Sequence, residues 1–275
     1  MPELFLEIAI FVFGLVFGSF ANVCIWRLPR GEEVVKRPSH CPQCQQPIRW
    51  YDNIPLLSFI LLGGRCRACR KPIAIRYPAV ESASGLIFLA LFNKYSLSPA
   101  LPVALAFGWA LLVISVIDIE HFLIPDAVTY PGIILGLVLA ALATIGWPLS
   151  LDPIPSLGPE MFPILDSLLG LIIGGGFMFL AGWLGRLIFK QEAMGGGDVK
   201  LAAMIGAFLG WKGLLVALFM AFLSGSLTGV ILMAAGRVRG RRSMLPFGPF
   251  LSLGALGTIF WGRSLLLWYL GLLQH

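Results

Sequence analysis

Charge is scarce in this chain. Only 12% of its 275 residues are charged, and 14 are acidic. Soluble domains carry about twice that share of charge, so a soluble globular composition is excluded. With so few acids, a carboxylate beside an apolar run needs a reason, because burying one is expensive. Basic residues are also missing ahead of the first apolar run, about residues 4–24; Arg27 and Arg30 follow it instead. The run is too long for the apolar region of a typical secretory signal. It reads as a retained helix with its N-terminus outside.

What the chain has in excess is apolar length. Hydrophobic residues make up 58% of it, and runs near twenty residues recur, the mark of a polytopic helical membrane protein. After 4–24 they lie near 79–94, 100–117, 127–147, 164–188, 199–211, 213–236 and 248–271. The expected fold class is an all-α polytopic membrane protein with about eight transmembrane helices and a small zinc-stapled cytoplasmic domain between helices 1 and 2. The run at 199–211 is short. Gly14 and Gly18 form a small-xxx-small pair that would let a second helix approach the first closely. The expected division is 1–26 (first helix), 27–78 (cytoplasmic domain) and 79–275 (membrane core).

The net charge of +6 matters by its placement. Ten of the twenty Lys and Arg residues fall in 27–78, and Arg237, Arg239, Arg241 and Arg242 fall in 237–247. The long loop 148–163 has none. The positive-inside rule then puts 27–78, 118–126, 189–198 and 237–247 in the cytoplasm. The expected partner surface is the lipid bilayer, with no nucleic acid.

Segment 27–78 holds four of the five cysteines. It is rich in proline and glycine, and a domain of about fifty residues buries too little to stand without a staple. Cys41-Pro-Gln-Cys44 and Cys66-Arg-Ala-Cys69 are separated by 21 residues. Two such turns can direct four thiolates to one point, the donor set of a structural tetrahedral zinc. Arg65, Arg67, Arg70 and Lys71 would help keep the thiolates ionised. Disulfides are disfavoured in a reducing cytoplasm, and the spacing is unlike the common iron–sulfur patterns. Cys24 has no such partner and reads as an apolar filler.

The acids form two motifs, Ile117-Asp118-Ile119-Glu120-His121-Phe122-Leu123-Ile124-Pro125-Asp126 and Met194-Gly195-Gly196-Gly197-Asp198-Val199-Lys200. In this topology Asp118 ends a helix running inward and Asp198 begins one running outward, so both lie at the cytoplasmic boundary. An ionised carboxylate can take a proton from water while a neutral partner polarises a scissile carbonyl. Asp198 is at a helix N-terminus, where the dipole favours charge, and Lys200 is near in sequence. Asp198 is therefore the expected resting carboxylate and Asp118 its protonated partner. Other readings stand beside this one. Asp198 could cap its helix; Asp126 reads first as a cap; Glu120 and His121 could face headgroups; Glu81 could be a surface or helix N-terminal charge. The acids could also serve an ion-coupled transporter, or the chain could be a noncatalytic assembly subunit.

Taken together, the motifs resemble those of the bacterial prepilin peptidases, or type IV leader peptidases. They run in order through Gly18-Ser-Phe-Ala-Asn22-Val, Arg27-Leu-Pro, Cys41-Pro-x-Cys44, Asp52-Asn-Ile-Pro-x-x-Ser58, Cys66-x-x-Cys69, Arg76-Tyr-Pro-x-Val-Glu81, the Asp118 motif and Gly195-Gly-Gly-Asp-Val-Lys200. The resemblance implies an aspartic endopeptidase of the bacterial inner membrane with Asp118 and Asp198 as catalytic residues. Its substrates would be type IV prepilins and type II secretion pseudopilins, cut after a glycine to release a short basic leader. It further implies methylation of the new N-terminus with S-adenosylmethionine, an activity associated with the cysteine-bearing loop. No residue pattern identifies an S-adenosylmethionine pocket. Glu120 and Glu192 are expected to attract the basic leader.

Overall fold

The computed structural model describes residues 2–35, 38–151, 162–189, 195–236 and 245–273. Most of the loop 148–163, together with Glu192 and the basic set Arg237, Arg239, Arg241 and Arg242, lies outside the described residues. Among the described residues eight α-helices follow in order: α1 (Pro2–Arg27), α2 (Leu57–Leu61), α3 (Arg76–Tyr95), α4 (Ala100–His121), α5 (Asp126–Thr144), α6 (Pro163–Phe189), α7 (Gly196–Ala234) and α8 (Gly248–Leu273). Six of them, α1 and α4 to α8, are long and apolar enough to cross a membrane. Helix α3 carries Arg76, Glu81 and Lys94 and falls short of that standard.

The count of about eight spans meets the structure at α7. This helix is 39 residues long, but at Gly210 its backbone leaves helical geometry, with φ 67° and ψ 176°. Only glycine takes that positive φ without strain. The chain reverses there: Gly174 on α6 packs against both Ala202 and Leu214, which lie on opposite sides of the break. Thus 196–209 and 211–234 are two limbs of a helical hairpin, close to the runs expected at 199–211 and 213–236. At about 1.5 Å per residue the first limb is about 21 Å long, short of a full hydrocarbon crossing.

The chain divides into two compact units, Met1–Val113 and Ile114–His275, with the division inside α4. In the first, α1 and α3 pack along small residues. A methyl group at Gly14 would come within 2.8 Å of Gly85 Cα, and one at Gly18 within 2.6 Å of Glu81 Cα. The small-xxx-small reading therefore holds, with α3 as the partner. Trp109 on α4 donates to the Phe17 carbonyl at 2.9 Å and stacks on Phe20 at 5.6 Å. Arg27, buried at the end of α1, gathers the outgoing chain by donating to the carbonyls of Glu33, Val34 and Pro38. In the second unit the contact of Gly170 with Gly206 brings α6 and α7 together at backbone distance. Small residues are what such close packing in lipid requires.

Candidate functional site

The four-cysteine cluster lies in the first unit. The sulfurs of Cys41, Cys44, Cys66 and Cys69 lie within 4.8 Å of one another, with Cys41 and Cys69 4.0 Å apart. A tetrahedral site with bonds of about 2.3 Å separates its sulfurs by about 3.8 Å. The cluster therefore has the donor set and nearly the spacing of a four-thiolate metal site. Its halves are copies. Cys-x-x-Cys-x-x-Pro-Ile occurs at 41–48 and again at 66–73. In each, the N–H of the first cysteine donates to a carbonyl five residues on, Gln46 or Lys71. The residue after the second cysteine, Gln45 or Arg70, sits at φ 59°. A short antiparallel bridge closes each turn, His40 with Pro47 and Arg65 with Pro72. This internal repeat was readable from the sequence and was missed.

At Cys66 and Cys44 the largest influence is a backbone N–H and not a neighbouring cation. The backbone N–H of Cys69, helped by that of Ala68, draws the Cys66 thiol down to about 7. Cys44 receives the Gln46 N–H, yet burial and the three other sulfurs push it up to about 11. Charge on one sulfur opposes charge on the next, and a bound dication removes that opposition. Arg67 has a different task. Its Nε and Nη2 donate to both oxygens of Asp52 at 2.7–3.1 Å, which holds that carboxyl below its ordinary range.

Glu81 is neither a surface group nor a helix N-terminal charge. It is buried in α3 and accepts the Leu56 N–H at 2.9 Å. Beside it, Asn22 donates to the Tyr77 carbonyl at 3.0 Å. The first contact fastens the cysteine-bearing segment to α3, and the second ties α3 to α1. Cys24 is buried, as an apolar filler would be.

The aspartate pair is built in the second unit. Helix α4 ends at His121, where Phe122 takes φ 52° and donates its N–H to the Asp118 carbonyl at 2.9 Å, a left-handed cap. The chain then turns through Ile124 and Pro125 into α5. Gly197, in the first turn of α7, lies against that corner: a methyl group there would come within 2.7 Å of Ile124 Cβ. Two motifs 80 residues apart in sequence thus touch through a glycine and an isoleucine, and the Asp118 charge acts on Asp198. Asp118 is buried, whereas Asp198 is half-buried.

Each carboxylate has a backbone donor. Asp198 is the third residue of α7 and takes the N–H of Gly195, so the capping geometry is present alongside the pairing. Asp118 Oδ2 accepts the N–H of Gly248 at 2.8 Å. Gly248 begins α8, so Asp118 faces a helix N-terminus as well as ending its own helix. The helix-end argument for a neutral Asp118 is therefore answered by an opposing dipole. Gly248 was not foreseen; its signal is a glycine between Phe247 and Pro249 where an apolar run begins. Lys200 does not serve Asp198. It donates to Asp126 at 2.6 Å and lies 5.1 Å from the Tyr130 ring. Asp126 makes no cap: Pro125 occupies the N-cap position of α5, with no side-chain cap bond. Glu120 and His121 are exposed and form a 3.9 Å pair.

Two family models match the chain. Residues 12–95 match the bacterial peptidase A24 N-terminal domain, and residues 105–230 match the type IV leader peptidase family. Among similar proteins, one from Pseudomonas putida is 33% identical over 96% of this chain and 93% of its own length. One from Aeromonas hydrophila is 33% identical over 98% and 95%. One from Myxococcus xanthus is 38% identical over 84% of this chain, which spans 65% of that relative. All three are named prepilin leader peptidase/N-methyltransferase. No solved structure matches.

Proposed function

The chain belongs to the type IV leader peptidase family, and from that premise we propose that it cleaves prepilins at the cytoplasmic face of the bacterial inner membrane and methylates the N-terminus so exposed. The site is the Asp118–Asp198 pair, and the observation that carries it is the seating of Gly197 on Ile124, which draws the two acid motifs together. One carboxylate takes a proton from the attacking water while the other, protonated, polarises the scissile carbonyl. The pair shares its proton, so the macroscopic titration belongs to both groups. Segment 27–78 is the metal-bearing part and 79–275 holds the peptidase site.

The substrate's apolar helix lies in the bilayer with its basic leader in the cytoplasm. Its glycine resists helix formation and exposes the scissile bond at the depth of the two acids. Type II secretion pseudopilins share that chemistry and are the second substrate class. Glu120 stands exposed beside the site and attracts the leader. The N-terminus of α1 is outside, as the placement of Arg27, Arg30 and the remaining basic residues of 27–78 supports.

Cys41, Cys44, Cys66 and Cys69 hold zinc, which with four protein thiolates has no open position for substrate and acts as a staple. S-adenosylmethionine, when bound, supplies an electrophilic methyl group. Among the described residues no cluster marks its pocket.

The test is intact mass spectrometry of a purified prepilin incubated with the full enzyme in lipid, with and without S-adenosylmethionine. The expected product has lost its leader after glycine and, with the donor present, gains one methyl group. An intact precursor after prolonged incubation with folded enzyme would overturn the reading.

A further inference from the structure

Within segment 27–78 lies an apolar stretch, Ile54-Pro-Leu-Leu-Ser-Phe-Ile-Leu-Leu62. Between Arg49 and Arg65 the only charged residue is Asp52, and Arg67 neutralises it. The stretch folds into the short helix α2, Leu57–Leu61. Ser58 is buried on the protein side and donates to the Tyr51 carbonyl at 2.8 Å. Leu57, Ile60 and Leu61, spaced i, i+3, i+4, are on one face and are 49%, 72% and 76% exposed. An uncovered apolar face of this kind needs a partner.

The depth of this face is set by its anchor. Leu56, held at φ 58°, donates its N–H to Glu81 at 2.9 Å. Glu81 packs against Gly18 of α1, nine residues before Arg27, which is about 13 Å along the helix axis. On α3 itself, Glu81 is five residues in from Arg76, about 7 Å. Helix α1 is long and apolar enough to cross a membrane. The chain entering α2 is therefore pinned below the end of α1, while the cysteine turns on either side are polar and carry Arg49 and Arg65.

We propose that α2 is an interfacial helix that lies in the cytoplasmic leaflet, with Leu57, Ile60 and Leu61 among the upper acyl chains. Two observations support lipid as the occupant: a buried carboxylate ties the face to α3 and packs against α1, which is long and apolar enough to cross a membrane, and cations flank it, matching anionic headgroups. The metal turns are thereby held against the membrane surface and not free in the cytoplasm. The inference stands whether or not the catalytic reading holds.

The experiment uses the full chain in vesicles of phosphatidylethanolamine and phosphatidylglycerol doped with a lipid bearing a diazirine high on its acyl chain. After irradiation, trypsin releases the peptide 50–65, and mass spectrometry locates the adduct. Label on Leu57, Ile60 or Leu61 is expected. The double variant Ile60→Ser/Leu61→Ser should lower labelling of this peptide about fivefold, and Glu81→Gln should lower it by weakening the anchor, while labelling of α1 is unchanged. Bound metal, measured by elemental analysis, reports whether each variant is folded, and the wild-type pattern decides the matter even if a variant is not. A wild-type 50–65 peptide free of label, while α1 peptides carry it, would overturn the proposal. Label that vanishes when prepilin is added would assign the face to substrate and also overturn it.

Discussion

The two candidate sites are assembled in opposite ways. The cysteine cluster comes from two copies of an eight-residue turn, 25 positions apart, each of which sets its own pair of sulfurs through local backbone bonds. The aspartate pair has almost nothing local about it. Asp118 depends on Gly248, 130 residues later in the chain, and Asp198 depends on the fit of Gly197 to Ile124. A locally built site tolerates changes elsewhere in the fold. A site built by helix packing is lost when the packing moves, even when both acids are present.

The largest expected effect is at the acids. Asp118→Asn and Asp198→Asn should each lower the rate of prepilin cleavage by at least about 10³-fold, and the double variant should cost little more than either single one, because the two act as a unit. Rate constants from intact-mass time courses check this. Additive losses would separate the residues into independent roles.

Next is removal of the metal. Cys66→Ser, or a strong chelator, should release the metal and disorder segment 27–78, abolishing methylation while cleavage stays within about tenfold of wild type. Hydrogen exchange of peptides from 38–73 alongside both activities checks it. Exchange as slow as in wild type after metal loss would show that the turns need no staple.

The glycines come third. Gly248→Ala would place a methyl group 2.8 Å from Asp118 Oδ2, and Gly197→Ala would place one 2.7 Å from Ile124 Cβ. A displacement near 1 Å at a reacting group costs up to about 100-fold, so each should lower cleavage about 10–100-fold with metal content and methylation of a pre-cleaved pilin unchanged. Wild-type cleavage by Gly197→Ala would show that the seating of Gly197 on Ile124 does not hold the two motifs in register.

The smallest effects belong to the ion pairs. Asp126→Asn breaks only an exposed pair with Lys200, worth about 1 kcal/mol or less, and should change cleavage by no more than about threefold. The Asp52–Arg67 pair gives a pH signature. The Asp52 carboxyl is held below its ordinary range by Arg67. Its contribution is thus present above that ordinary range and fades as pH falls through the depressed value. Asp52→Asn should remove this acid-side component from the unfolding of segment 27–78 and lower its neutral-pH stability by the same small amount, bringing it to the acid-side level of the wild type.

What the sequence disclosed follows the same contrast. The four-cysteine cluster was legible because CxxC spacing encodes its geometry within a few residues. The reversal at Gly210 was legible as a gap between two apolar runs. Gly248 was not, because nothing in its neighbourhood refers to Asp118. Lys200 misled for the same reason: closeness in sequence suggested service to Asp198, while the helix turn delivers it to Asp126. The dipole assignment for Asp118 failed to include α8, a helix that sequence order does not place beside it. Glu81 was misread because its partner, the Leu56 N–H, belongs to the backbone and leaves no mark in the residue types.

The most direct test of the account is a comparison of two reactions on one enzyme. Wild type, Asp118→Asn, Asp198→Asn and Cys66→Ser are each given prepilin and, separately, a pilin already freed of its leader, with S-adenosylmethionine present in both. The account predicts that the aspartate variants methylate the freed pilin but cannot cut the precursor, and that Cys66→Ser cuts the precursor but cannot methylate. Cleavage that survives either aspartate substitution and is lost with the cysteine would contradict it.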